Sequence, residues 1–103
     1  MSAADTAFKI LTADQWAMFE AEGVFTGAPV DVADGYIHLS TADQLDETMA
    51  KHFAGQTNLV VAEIDLASLG DIVRWEISRG GARFPHIYGL LTMGAVRDRK
   101  SVV

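Results

Sequence analysis

The chain has 103 residues, half of them hydrophobic, no cysteine and a formal charge of −6. That length makes it one domain, residues 1–103, and the missing cysteines exclude a disulfide scaffold, a thiolate zinc site and a cysteine nucleophile. The acidic balance excludes free nucleic acid as the main partner, because a phosphate backbone calls for a basic surface.

The first strand is predicted over 8–11, where Phe8, Lys9, Ile10 and Leu11 stand together. Thr12-Ala13-Asp14-Gln15 then carries the capping-box pattern, a threonine oxygen followed three residues later by a glutamine. A helix over 13–22 follows, with Trp16 and Phe19 on its apolar side and Gly23 as its left-handed terminator. Residues 23–35 hold Gly23, Gly27, Pro29, Asp31, Asp34 and Gly35 and read as a long loop.

The stretch Asp34-Gly35-Tyr36-Ile37-His38-Leu39-Ser40-Thr41 reads as a turn, a short strand and a helix cap. Alternation puts Tyr36, His38 and Ser40 on one face, with Ile37 and Leu39 on the other. A core face backed by a cleft follows from that split. The second helix is expected over 42–54, where Leu45, Met49 and Phe53 form an i, i+4 stripe and His52 falls close to the same face. A strand over 58–66 points Val60, Ala62 and Ile64 inward, and one over 72–78 does the same with Val73, Trp75 and Ile77. Residues 79–89 read as a second loop, and a last strand covers 95–102. Without regular βαβ alternation, the fold class is α+β, two helices on a mostly antiparallel sheet.

Four groups of side chains could carry chemistry. His38, with Tyr36 and Ser40 on its face, can orient a ligand or act as an acid or base. His86 and Tyr88, two apart behind Pro85, point into one space if that segment is extended. Arg79 and Arg83 flank Gly80-Gly81, where backbone amides can approach an anion and guanidinium forks can grip it. Glu76 can steady a cation or a ribose hydroxyl, or simply pair with a nearby arginine. From Arg74 to Lys100 there are six basic residues against two acidic ones, so a local site for a small anion is compatible with an acidic chain. Three scattered histidines make no metal motif, so no metal is expected. A Ser40–His38–Asp34 triad is rejected, because residues so close on one strand rarely take those mutual positions.

The stretches Asp34-Gly35-Tyr36-Ile37-His38-Leu39-Ser40-Thr41-Ala42-Asp43-Gln44, His52-Phe53, Trp75-Glu76, Ser78-Arg79-Gly80-Gly81 and Phe84-Pro85-His86-Ile87-Tyr88-Gly89 resemble a bacterial family, the domain of unknown function 952. The resemblance covers nearly the whole chain. It implies a fold similar to that of ADP-ribosyltransferases, a split antiparallel sheet with a nucleotide cleft. On that analogy His38 is the motif residue of the first cleft strand, with Ser40 and Thr41 beside it, and Glu76 is the candidate for the late glutamate. NAD or a related nucleotide is the cofactor so implied. Members have been labelled glutathione transferases, but a chain of 103 residues cannot hold the usual two domains.

Three functions of different classes follow. The first is a domain that binds a small anionic or nucleotide-like ligand between the His38 strand and the Arg79–Tyr88 loop, with transferase chemistry at His38, His86 and Glu76. Tyr36, Ser40, Thr41, Arg79, Arg83 and Tyr88 would then be its binding residues. The second is a non-catalytic protein-interaction module. The third is a small hydrolase using His38 or His86 as general base. No apolar run reaches the length of a bilayer span, and the amino terminus lacks a charged flank before an apolar block. A cytoplasmic monomer or weak dimer with no membrane partner is therefore expected.

Overall fold

The computed structural model describes residues 5–102, with the side chain of Arg79 outside the description. The fold is α+β and its sheets are antiparallel. β1 (Thr6–Thr12) runs into α1 (Ala13–Glu22) through the expected capping box. The hydroxyl of Thr12 accepts from Gln15 N at 3.1 Å, and Gln15 Oε1 accepts from Thr12 N at 2.9 Å. β2 (Val24–Phe25) pairs with β7 (Leu91–Thr92), a small ribbon that the alternation pattern does not announce.

The long loop expected over 23–35 contains a helix, α2 (Pro29–Asp34). Proline suits the first helical turn because its missing N–H would have no helical partner there. The Asp31 carboxylate accepts from Ala28 N at 2.7 Å, and Gly35 ends the turn in the left-handed region. β3 (Ile37–His38) follows, and α3 (Ala42–His52) starts at Thr41 through a second capping box.

β4 (Leu59–Asp65) lies between β1 and β8 (Val96–Val102), giving a three-stranded sheet. β5 (Val73–Ile77) and β3 flank β6 (Arg83–Ile87) in a second one. β6 corrects the reading of 79–89 as loop throughout; only its first part turns, at 79–81. Pro85 hid this strand, since proline cannot donate to a ladder. Its carbonyl accepts from Leu39 N at 3.0 Å, so the side lacking a donor faces the point where β3 ends. The two sheets meet at one bridge, with Phe8 N to Ser40 O at 2.7 Å and Ser40 N to Phe8 O at 2.9 Å.

The core gathers Leu11, Trp16, Phe19, Ile37, Leu39, Val60, Ala62, Ile64 and Ile87. Val73 and Trp75 pack against it only partly buried. Ile77, expected inside, is 65 % exposed, because it ends an edge strand where nothing covers its face. Leu45, Met49 and Phe53 are also only partly covered, and α3 contributes no fully buried residue. Its apolar stripe therefore faces something other than a packed core.

Candidate functional site

Asp31 organises the site, and the apolar pattern conceals it. It is 1 % exposed, and its carboxylate accepts from Lys9 Nζ at 2.9 and 3.2 Å. It also accepts from Ala28 N at 2.7 Å and His38 N at 3.1 Å, and it lies 2.6 Å from His38 Nδ1. Lys9 gives a further hydrogen bond to the His38 carbonyl at 3.0 Å. Burial pushes the Asp31 carboxyl up, but the His38 hydrogen bond, the Lys9 charge and the Ala28 amide outweigh it and hold the group at about 2. Burial likewise pushes the Lys9 ammonium below its ordinary value, against the pull of Asp31. Gly27 permits this arrangement: a Cβ there would stand 2.9 Å from Asp31 Cβ.

His38 and His86 lie opposite each other in the β3–β6 ladder, their rings 5.4 Å apart and edge to face. Each has a carboxylate at Nδ1. Asp31 serves His38, and Glu76 Oε1 lies 2.7 Å from the His86 nitrogen. The other nitrogen of His38 is 2.9 Å from Asp34 Oδ2, a half-exposed carboxylate one helical turn earlier in the chain. Tyr88 donates its hydroxyl to the same Glu76 oxygen at 2.7 Å. The hydrogen bond from His86, then that from Tyr88, holds the Glu76 carboxyl below its usual range, while the bond to Glu76 raises the Tyr88 phenol. Tyr36 stacks on His86 at 4.1 Å and lies 4.7 Å from His38. Arg74 covers the Tyr88 ring at 4.8 Å.

A cavity of about 560 Å³ opens beside this cluster. Such volumes suit small molecules. His38, Ser40 and His86 line it together with Lys9, Asp31 and Asp34. Phe8, Ile10, Phe53 and Phe84 supply its apolar walls, while α3 itself contributes Thr48 and His52 and not Leu45 or Met49 of its stripe. Ser78 and Phe84 also line it, so the turn at 79–81 between them stands at its rim.

The residues singled out from the sequence therefore divide. Tyr36, His38, His86, Tyr88 and Glu76 form one contacting cluster. Ser40 reaches the cavity, but its hydroxyl is 2.9 Å from Thr48 Oγ1, not on His38. Asp34 does reach His38, so the rejected triad fails at the serine rather than at the carboxylate. Thr41 caps α3, accepting from Gln44 N at 3.3 Å. Arg83 is exposed, with Nη1 3.5 Å from Trp75 O, and it is not among the residues lining the cavity. Arg79 contributes backbone to the rim turn, while its side chain lies outside the described residues.

Sequence reasoning missed Lys9 and Asp31 as site residues. The available signal was a lysine in the middle of an otherwise apolar strand, which demands a buried partner. Its partner lies 22 positions away, and no local spacing announces it. Among the described residues, no cluster of histidine and carboxylate side chains is arranged to hold a metal ion.

Residues 10–99 match the family described as a protein of unknown function, DUF952, and the chain belongs to that family. The crystal structure of protein CC0527 from Caulobacter crescentus is 46 % identical, with a TM-score of 0.90, the match covering 92 % of this chain and 83 % of that one. The solution NMR structure of CC0527 is 45 % identical, with a TM-score of 0.84 over 94 % of this chain and 84 % of that one. No curated protein matches the chain.

Proposed function

We propose that the chain binds a small nucleotide-like ligand in the cavity between the His38 and His86 strands. One observation carries this reading: the two segments richest in histidine, tyrosine and serine, far apart in sequence, wall a single cavity. A shared cavity supports ligand binding over a protein-interaction module, for which two separated exposed loops would be the natural arrangement.

The walls fit the ring and hydroxyl-bearing part of a nucleotide. Phe8, Phe53 and Phe84 offer apolar faces, and His38, Ser40 and Asp34 offer groups that bond hydroxyls. They fit its phosphates less well, since Lys9, the one lysine or arginine among the described lining residues, is already engaged by Asp31. The anionic part belongs at the rim, where Gly80 and Gly81 take left-handed conformations between Arg79 and Arg83. NAD fits on those terms, its nicotinamide or adenine nucleoside inside and its diphosphate at the turn. Two antiparallel sheets joined at one bridge, with the cavity beside the junction, support the ADP-ribosyltransferase-like reading of the fold. In it Glu76 would be the acidic residue, and His38 and His86 the groups that meet the ligand.

Thermal-shift titration with NAD, ADP-ribose and inorganic phosphate tests this. Ligand at about 100 times Kd should stabilise the fold by about 2.7 kcal/mol. A flat response to all three at millimolar concentration would sink the proposal. So would a shift that survives unchanged in Arg83→Ala as far as the anion site at the rim is concerned.

A further inference from the structure

The geometry points to His38 and His86 acting together as a general acid–base pair that hydrolyses a nucleotide phosphodiester. This rests on the reading of the cavity as a nucleotide site, and it adds the bond that would be broken there. Each imidazole lines the cavity, each has a carboxylate at Nδ1, and their rings are 5.4 Å apart across one strand pair. That separation lets one reacting centre touch both. A single oriented histidine is common in folded proteins, but two facing the same space, each steered by its own acid, can supply the base and the acid of one cleavage step.

Hydrogen bonding assigns the roles. His86 donates its Nδ1–H to Glu76, leaving Nε2 as a lone-pair acceptor with no partner among the described residues. His38 meets carboxylates at both nitrogens, Asp31 at Nδ1 and Asp34 at Nε2, so both ring nitrogens are placed to donate, as the acid of the pair must. In the step, water attacks phosphorus and His86 Nε2 takes its proton. The P–O bond to the leaving oxygen breaks, and His38 Nε2 gives that oxygen a proton. The products are a phosphate monoester and a free hydroxyl, and the exchange of one proton with solvent restores both rings. Asp34, half-exposed, holds the Nε2 proton until a substrate oxygen takes its place.

Charged and aromatic groups from four elements tune the pair. Lys9 of β1 and Asp31 and Asp34 of α2 face His38, while Glu76 and Arg74 of β5, Tyr36 and Tyr88 surround His86. His52 of α3 shares the cavity wall.

The test uses the full chain with two esters, a ribonucleoside cyclic phosphodiester and bis(p-nitrophenyl) phosphate. Turnover of both with a bell-shaped pH dependence is expected. His86→Gln should slow both by about 10²–10⁴-fold. His38→Gln should slow the cyclic phosphodiester comparably and the p-nitrophenyl ester clearly less, because p-nitrophenolate departs with little need of a proton. Circular dichroism and the thermal midpoint establish that each variant is folded. If either is not, Glu76→Gln serves instead, since it keeps both rings and should displace the acidic limb of the pH profile, which reports the base His86, and leave the basic limb in place. Nucleotide binding without turnover of either ester would overturn the pair and leave the binding reading standing. Neither binding nor turnover would overturn both. Equal losses on both esters in His38→Gln would overturn the assignment of the acid.

Discussion

Two helices of this chain begin with the same four residues and end in different surroundings. Thr12-Ala13-Asp14-Gln15 opens α1 and Thr41-Ala42-Asp43-Gln44 opens α3, each through a reciprocal capping box. α1 presses Trp16 and Phe19 into the core, with the two rings edge to face at 5.6 Å. α3 buries nothing fully. It is tied down by polar bonds instead, Thr48 to Ser40 at 2.9 Å and Gln44 Nε2 to the Arg83 carbonyl at 2.7 Å. α2 is likewise held by Asp31 on Lys9 and His38 rather than by apolar contact. One half of the molecule is thus secured by packing, the other by hydrogen bonds around a space. Side-chain bonds can span a cavity without filling it, and that leaves room for a ligand.

The most severe way to break the polar half is Asp31→Ala. It strands the buried Lys9 ammonium and should cost about 3–5 kcal/mol in urea unfolding. A loss below about 1 kcal/mol would mean that Lys9 finds water or another acceptor, and that Asp31 does not anchor α2. The matching attack on the packed half is Phe19→Ala, 1 % exposed, with an expected loss of about 3–5 kcal/mol from transfer and cavity effects. A small loss there would place the core elsewhere.

Acid distinguishes the halves next. The Asp31 carboxyl sits at about 2 in the fold against 3.8 ordinarily, so between those values the unfolded chain binds more protons. Its contribution is complete above about pH 4 and is lost as pH falls through about 2, a total of about 2 kcal/mol. Glu76, also held low, acts in the same direction below its ordinary range. Unfolding measured at stepped acid pH should show this slope in the parent chain and a shallower one in Asp31→Asn. Identical slopes would remove Asp31 as the cause.

Smaller effects sharpen the comparison. Thr12→Ala and Thr41→Ala each remove a cap and should each cost about 1 kcal/mol, because the local motif is the same at both helices. Leu45→Ala, on the half-covered stripe of α3, should cost about 1 kcal/mol, well under the value for a buried leucine. A loss as large as that of Phe19→Ala would mean that α3 packs more closely than the partial cover of Leu45 shows.

Much of this was legible from local pattern. Capping residues, apolar spacing and strand alternation act over a few positions, so both major helices, the division of Tyr36, His38 and Ser40 from Ile37 and Leu39, and the strand Leu59–Asp65 could be read directly. The short helix α2 could not, since its decisive bond joins a carboxylate to a lysine in another element. Nor could β6, because proline argues against a central strand until one sees that β3 ends beside it. Amphipathicity established that α3 has an apolar side, but only the tertiary structure decided that Leu45 and Met49 are left half-covered while Thr48 and His52 line the cavity. A helix's own residues state what it can bury. What is there to be buried against is set by segments distant in sequence, and the pairing of His38 with His86 and of Asp31 with Lys9 belongs to that second kind of information.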